Sequence, residues 1–260
     1  MQSPGDSKGC LYIVGTGPGN LEQMTMKAIR AIGESSYVIG NDSYLAPLQP
    51  LLGGKTVIRS SMGKEVERAK KAVELARDHV VSMVSGGDPG IYGMAGIVLE
   101  FVERSGADTR VEIVPGVTAA SASASLLGSP LSGDFAVISL SDLLTPIEEI
   151  ERRLKGVLST GIPVVLYNPR SRGRPHNFAM AMEIAAEFRS ADTPIGVVRN
   201  AYRDGEEIRI TTLSKAGDLE DWIDMHSAVI IGGEESRIWR NGDNVKGIIT
   251  PRGYHRKYVY

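Results

Sequence analysis

The stretch Ser85-Gly86-Gly87-Asp88-Pro89-Gly90-Ile91-Tyr92-Gly93, with Val114-Pro115-Gly116-Val117-Thr118-Ala119 further along, decides how the chain is read. Each stretch follows an apolar run with strand character, over 80–84 and 111–114, and each precedes a helical pattern. Two glycine-rich strand-to-helix turns this close together predict neighbouring loops at the carboxyl ends of parallel strands, the edge where open α/β sheets bind ligands. Glycine lets the backbone approach a ligand closely. Asp88 adds a fixed acceptor suited to the hydroxyls or amines of a nucleoside-like cofactor. With the turn set by its glycines and Pro89, Asp88 reads as a ligand contact.

Outward from these loops, strands alternate with helices. Strands are predicted over 11–15, 37–40, 56–59, 80–85 and 111–114. Thr25 caps a helix running to about residue 32. Val66, Ala69, Ala72, Val73 and Ala76 recur at helical spacing in 65–78. Further helices are predicted over 95–104 and 118–127. Such alternation predicts a mostly parallel sheet. Gly128-Ser129-Pro130-Leu131-Ser132-Gly133 is a break in pattern, so the expected organisation is an α/β domain over 1–132 followed by a second over 133–260. In the second, strands are expected over 135–140, 164–167, 195–199, 208–212 and 228–232. The Asp204-Gly205 turn joins two of them as a hairpin, which predicts a mixed sheet. No internal repeat or low-complexity segment is visible.

Composition bounds the function. The chain has 260 residues, formal net charge −2, 42% hydrophobic and 23% charged residues, as in an ordinary globular enzyme. Near-neutral charge gives no sign of a nucleic-acid surface. No apolar run approaches the ~20 residues of a membrane span. The first ten residues lack the apolar stretch of a secretion signal. Cys10 is the single cysteine, which excludes an intrachain disulfide and speaks against a thiolate metal site. His79, His176, His226 and His255 are scattered without ligand spacing, so no metal is expected and the expected compartment is the cytoplasm.

Gly15-Thr16-Gly17-Pro18-Gly19-Asn20 follows the first strand and invites a dinucleotide-binding reading. That fingerprint would place its third glycine where Asn20 stands. Pro18 removes a backbone donor, and the helix begins too late, near Thr25, for its N-terminus to meet a phosphate. The loop is expected to line a site without gripping phosphate.

Together, 15–19, 86–93 and 114–119 resemble the ordered motifs of the tetrapyrrole (corrin/porphyrin) methyltransferases. Phe135-Ala136-Val137-Ile138-Ser139-Leu140-Ser141-Asp142-Leu143-Leu144-Thr145-Pro146 resembles the branch acting at C(17) of precorrin-3B or cobalt-precorrin-3. So do Leu166-Tyr167-Asn168-Pro169-Arg170-Ser171-Arg172-Gly173-Arg174-Pro175 and Thr250-Pro251-Arg252-Gly253-Tyr254. The resemblance runs from Leu11 to Tyr254. It departs in two places: Gly86-Gly87-Asp88-Pro89 is spelt as in uroporphyrinogen-III methyltransferases, and Ile39-Gly40-Asn41-Asp42-Ser43-Tyr44 lacks a usual lysine.

The resemblance implies two α/β domains with a cleft between them, S-adenosylmethionine as cofactor, and a precorrin substrate methylated at C(17) with ring contraction in cobalamin biosynthesis. A homodimer is the expected assembly, with no nucleic-acid or membrane partner. It implies cofactor contacts from Pro18, Gly86, Gly87, Asp88, Ile91, Thr118, Ala119, Asn168 and Ala201. The substrate carries many carboxylates, which arginine pairs bidentately. Arg170, Arg172 and Arg174 are therefore candidate substrate contacts, with Arg59, Lys64, Arg68 and Arg252 behind them. Methyl transfer needs alignment and no enzyme nucleophile. Contraction invites a general acid or base, for which Asp142, Tyr44 and His176 are the candidates. Three classes stay open: methyltransferase on this or another tetrapyrrole carbon, nicotinamide-dependent oxidoreductase, and non-catalytic binding protein.

Overall fold

The computed structural model describes residues 9–61 and 63–259, so the Met1–Lys8 part of the amino-terminal reading lies outside the described residues. The chain divides into two compact units between Ala119 and Ala120.

The first unit runs β1 (Cys10–Gly15), α1 (Met26–Glu34), β2 (Tyr37–Asn41), α2 (Asp42–Leu45), β3 (Thr56–Ser60), α3 (Glu65–Leu75), β4 (Val80–Ser85), α4 (Ala95–Ser105) and β5 (Arg110–Val114). Its sheet has the order β3-β2-β4-β1-β5, with every pairing parallel. The strands are almost continuously apolar because both faces are covered. Leu11, Ile13, Ile39 and Met83 pack against Ala69, Ala72 and Val73 of α3 and Val98 of α4. On the other face Val14, Val38, Val84 and Val114 meet Ala28, Ala31 and Ile32 of α1. Thr25 caps α1 as the sequence predicts, its side chain accepting from the Ala28 amide at 3.1 Å. Because β1 lies between β4 and β5, with Gly15 opposite Ser85 and Val14 opposite Val114, their loops leave the sheet side by side.

The second unit contains α5 (Ala119–Leu127), β6 (Gly128–Ser129), β7 (Ala136–Ser139), α6 (Ile147–Leu158), β8 (Val164–Tyr167), α7 (Asn177–Phe188), β9 (Pro194–Arg199), β10 (Glu207–Thr212), β11 (Ser227–Ile231), β12 (Arg237–Asn241) and β13 (Asn244–Ile249). Its main sheet, β10-β9-β11-β8-β7, is mixed: β7 and β8 are parallel and the other pairings antiparallel. The β9–β10 hairpin turns through Gly205 at φ 74°. β12, β13 and β6 form a small separate sheet.

Gly196 lets α5 lie on the main sheet, for a Cβ there would stand 2.6 Å from Leu127 Cδ1. Ala120 and Leu127 pack there with Val165, Val198 and Ile230. These contacts group α5 with the second unit, whereas composition placed the break after it; β6, inside the glycine-rich stretch, pairs with β13. The opposite face is covered by α6 and α7, which bring Ile150, Leu154, Leu158, Phe178 and Ala181 onto Leu166, Ile195 and Val229. Buried Arg189 donates to the carbonyls of Leu158, Ile162 and Gly232, closing the end of α6; burial lowers its pKa from the usual value.

Candidate functional site

In the first unit the three loops after β1, β4 and β5 interlock through bare backbone. Gly17 and Gly87 exchange amide–carbonyl hydrogen bonds at 2.8 and 3.1 Å, and Thr16 donates from its amide to Ser85 O at 2.9 Å. A Cβ on Gly15 would lie 2.6 Å from the Gly116 amide nitrogen and 2.7 Å from Gly87 O. One on Gly116 would overlap that same carbonyl. Both contacts are with backbone atoms of neighbouring loops, which cannot give way, so Gly15 and Gly116 require glycine for space. Gly87 has φ 65°, a conformation that costs glycine least.

Asp88 holds this arrangement from one side chain. Its Oδ1 accepts from the Gly90 amide at 2.8 Å, and its Oδ2 accepts from the Gly116 amide at 3.0 Å. The sequence reading made Asp88 a ligand acceptor; the structure adds that it ties the β4 loop to the β5 loop. An ionised carboxylate has about four lone-pair sites, so two acceptor sites remain after these bonds. Tyr44, on α2, lies against Gly86: a Cβ there would meet the phenol ring, with its Cδ1 at 2.9 Å. Pro18 is buried, Thr118 and Ala119 are half-buried, and Ile91 is 40% exposed beside the glycine turn. Thr118 Cα and Ala119 N are the nearest atoms to a Cβ built on Gly87, at 3.7 and 3.8 Å. The expected contacts Pro18, Gly86, Gly87, Asp88, Ile91, Thr118 and Ala119 thus share one edge of one sheet.

The second unit gathers the rest. The loops after the parallel pair β7 and β8 are stitched together: Asn168 donates to Ser139 Oγ at 2.9 Å, and Asn177 to Leu140 O at 2.7 Å. Tyr167 Oη accepts from the Ala120 amide at 2.7 Å. Ala201 is half-buried after β9 and packs on the α5 side of the sheet. The non-glycine residues with positive φ are Tyr92, Asn168, Asn200 and Tyr202, at 51–58° among the described residues. All four follow β4, β8 or β9 at the carboxyl ends of those strands, where stored backbone strain points to function.

The three loop arginines differ. Arg170 donates to the Glu220 carbonyl at 2.6 Å and the Pro175 carbonyl at 3.3 Å, and pairs with Asp221 at 3.2 Å. Arg174 donates to Ser141 and lies 3.9 Å from Asp142. Arg172 is exposed and has no hydrogen-bond or ion-pair partner among the described residues. Of the outlying candidates, Arg68 is 5% exposed and donates to Ser60, Ser61 O and Glu65, which removes it from any solvent-facing rim. Arg59 pairs with Asp42 at 2.7 Å and Lys64 with Glu67 at 2.7 Å; the Glu67 carboxylate raises the Lys64 pKa. Of the acid–base candidates, Tyr44 sits at the first-unit loops, whereas Asp142 and His176 are exposed in the second unit. Sequence reasoning missed Gly15 and Gly116 as interlocking positions, although a glycine at or within two residues of a strand's end was their signal.

A model of the tetrapyrrole (corrin/porphyrin) methylases matches residues 10–217. Over 253 residues the chain is 48% identical to the cobalamin biosynthesis protein CbiHC of Archaeoglobus fulgidus, covering 97% of this chain and 54% of that protein. Over 246 residues it is 45% identical to the probable cobalt-factor III C(17)-methyltransferase of Salmonella typhimurium, covering 94% and 99%. It thus spans about half of the first relative and nearly all of the second. Among solved structures, the methyltransferase CobJ matches with a TM-score of 0.86 at 33% identity, covering 94% of this chain and 100% of that one.

Proposed function

The chain belongs to the tetrapyrrole (corrin/porphyrin) methylases, and on that premise we propose that it transfers a methyl group from S-adenosylmethionine to C(17) of a precorrin-3B or cobalt-factor III macrocycle, with ring contraction, in cobalamin biosynthesis. The Salmonella relative, matched over nearly its whole length and named for that position, supports the regiochemistry. The observation that carries the cofactor assignment is the interlock of Gly15, Gly87 and Gly116 at adjacent strand ends, braced by Asp88.

The residues present fit this cofactor. A strip of main chain without side chains runs along Gly86 and Gly87, with Asp88 offering its remaining acceptor sites to a cationic amine. Ile91 and Ala119 are apolar enough to pack on an adenine. When bound, the cofactor supplies a sulfonium methyl that is already a strong electrophile. The work left to the chain is positional: to fix methyl and ring carbon in line and to keep water away. Tight mutual packing of the loops suits that task, because a preformed site loses little entropy on binding. Asn168 and Ala201 are proposed as further cofactor contacts. Tyr44, Asp142 and His176 are proposed proton-transfer groups for contraction. Any cobalt arrives with the macrocycle. A cytoplasmic homodimer is the proposed state, checked by sedimentation of the purified chain.

The spelling Gly86-Gly87-Asp88-Pro89 favours a second reading, methylation of another tetrapyrrole carbon, which product analysis separates from the first. S-adenosylhomocysteine binding tests the cofactor site directly. At a hundredfold excess over its Kd it should stabilise the fold by about 2.7 kcal/mol. Saturating ligand without a thermal shift contradicts the assignment, and stabilisation by nicotinamide cofactors instead would favour the oxidoreductase class.

A further inference from the structure

The segment after β7 carries two adjacent leucines with almost no cover: Leu143 is 80% exposed and Leu144 92%. Their surroundings are anchored. Before them, Leu140 is fully buried, its amide donating to Tyr167 O at 2.8 Å while its carbonyl accepts from Asn177. After them, Pro146 opens α6, its carbonyl accepting from Glu149 and Ile150 at 3.0 and 3.2 Å. An ordered protrusion that presents two large aliphatic side chains to water forgoes their burial, which marks it as a recognition element.

What lies beside it indicates the occupant. Arg174 reaches from the loop after β8 to Ser141 and Asp142 and ties the two loops together. The turn carrying Arg172 is closed by reciprocal Ser171–Arg174 backbone hydrogen bonds at 3.0 and 3.2 Å, and Arg172 itself is exposed and unpaired among the described residues. An apolar pair and a cation on tethered loops match a ligand with an apolar face and a carboxylated rim, which describes a tetrapyrrole macrocycle.

We propose that Leu143, Leu144 and Arg172 form a specificity subsite for the macrocycle, the leucines covering part of its ring face and Arg172 pairing with a peripheral carboxylate. This rests on the methyltransferase reading and deepens it, since the proposed cofactor contacts do not include these residues. The leucines have no role in holding the fold, so replacing them removes the subsite and leaves the scaffold intact.

The test uses the full chain and two ligands, S-adenosylhomocysteine and cobalt-factor III, titrated separately by calorimetry. The double variant Leu143→Asn/Leu144→Asn is expected to bind cobalt-factor III at least tenfold more weakly and S-adenosylhomocysteine within twofold of the parent, with unchanged sedimentation mass. Arg172→Gln is expected to weaken the macrocycle alone, by an amount that shrinks as salt is raised. Parental macrocycle affinity in both variants overturns the proposal. A change in sedimentation mass in the leucine variant also overturns it, by assigning the pair to contacts between copies. If the parent chain binds S-adenosylhomocysteine but no macrocycle, the proposed function fails instead, and that result is read before any variant is made.

Discussion

Replacing Asp88 with Ala removes two hydrogen bonds at once, from the Gly90 amide at 2.8 Å and the Gly116 amide at 3.0 Å. Hydrogen bonds to a charged group contribute about 1.5–3 kcal/mol each. Asp88 is only half-buried, so the lower end applies and the expected loss of stability is about 3 kcal/mol. Asp88→Asn keeps a single carbonyl acceptor and can satisfy only one of the two amides, so about half of that loss should remain. Urea unfolding of the three proteins, each with and without saturating S-adenosylhomocysteine, separates structure from binding. The graded order parent, Asn, Ala in ligand-free stability is the expected result, accompanied by weaker ligand stabilisation in both variants. Ligand-free unfolding of Asp88→Ala at the parental midpoint would refute the bracing role. Parental ligand affinity in the folded variants would remove Asp88 from the site.

Other consequences follow from single positions. Gly116→Ala places a methyl group on the Gly87 carbonyl and should abolish S-adenosylhomocysteine binding, whereas Gly156→Ala, in α6 with nothing within 4 Å, should stabilise by about 0.5–1 kcal/mol; circular dichroism melts and calorimetry check both. Burial raises the Cys10 thiol pKa, so the folded chain at mildly alkaline pH should resist a thiol reagent and react fully once unfolded in urea. The Arg199 guanidinium, with help from the Trp222 indole, lowers the Glu207 pKa. A lowered folded pKa contributes stability above the unfolded value, ordinarily 4.5, and that contribution is lost as pH falls through the folded value. The stability difference between parent and Glu207→Gln should therefore be present near neutrality and shrink at pH values below that of an ordinary carboxylate, followed by urea unfolding across pH.

The parallel sheet was legible because its central strands are short apolar runs ended by glycine or a polar residue, and α3 shows its period; the four-residue α2 was too short to show one. The hairpin at Asp204-Gly205 was legible from its turn. The β12–β13 hairpin was not read, since Arg237, Arg240 and Lys246 break the apolar alternation on strands that are mostly exposed; Asn241-Gly242, with Gly242 at φ 59°, was the available signal. α6 went unnamed although Ile147, Ile150, Leu154 and Leu158 keep helical spacing, and α7 shows little period because Phe178, Ala181, Met182, Ile184 and Ala185 are all buried. At the site, residue types announced the glycine loops. Partners did not: the bond from the Gly116 amide to Asp88 and that from Arg170 to the Glu220 carbonyl depend on the chain's tertiary path, which only the folded chain supplies.

The central claim is methyl transfer to one ring carbon. It is tested most directly by incubating the chain with methyl-13C S-adenosylmethionine and cobalt-factor III, or precorrin-3B without cobalt, and locating the label in the purified macrocycle by NMR. The account predicts a single labelled methyl at C(17) on a contracted ring. Label at another carbon would contradict the regiochemistry, and a macrocycle without label, under conditions where both ligands bind, would contradict the claim that this chain is a tetrapyrrole methyltransferase.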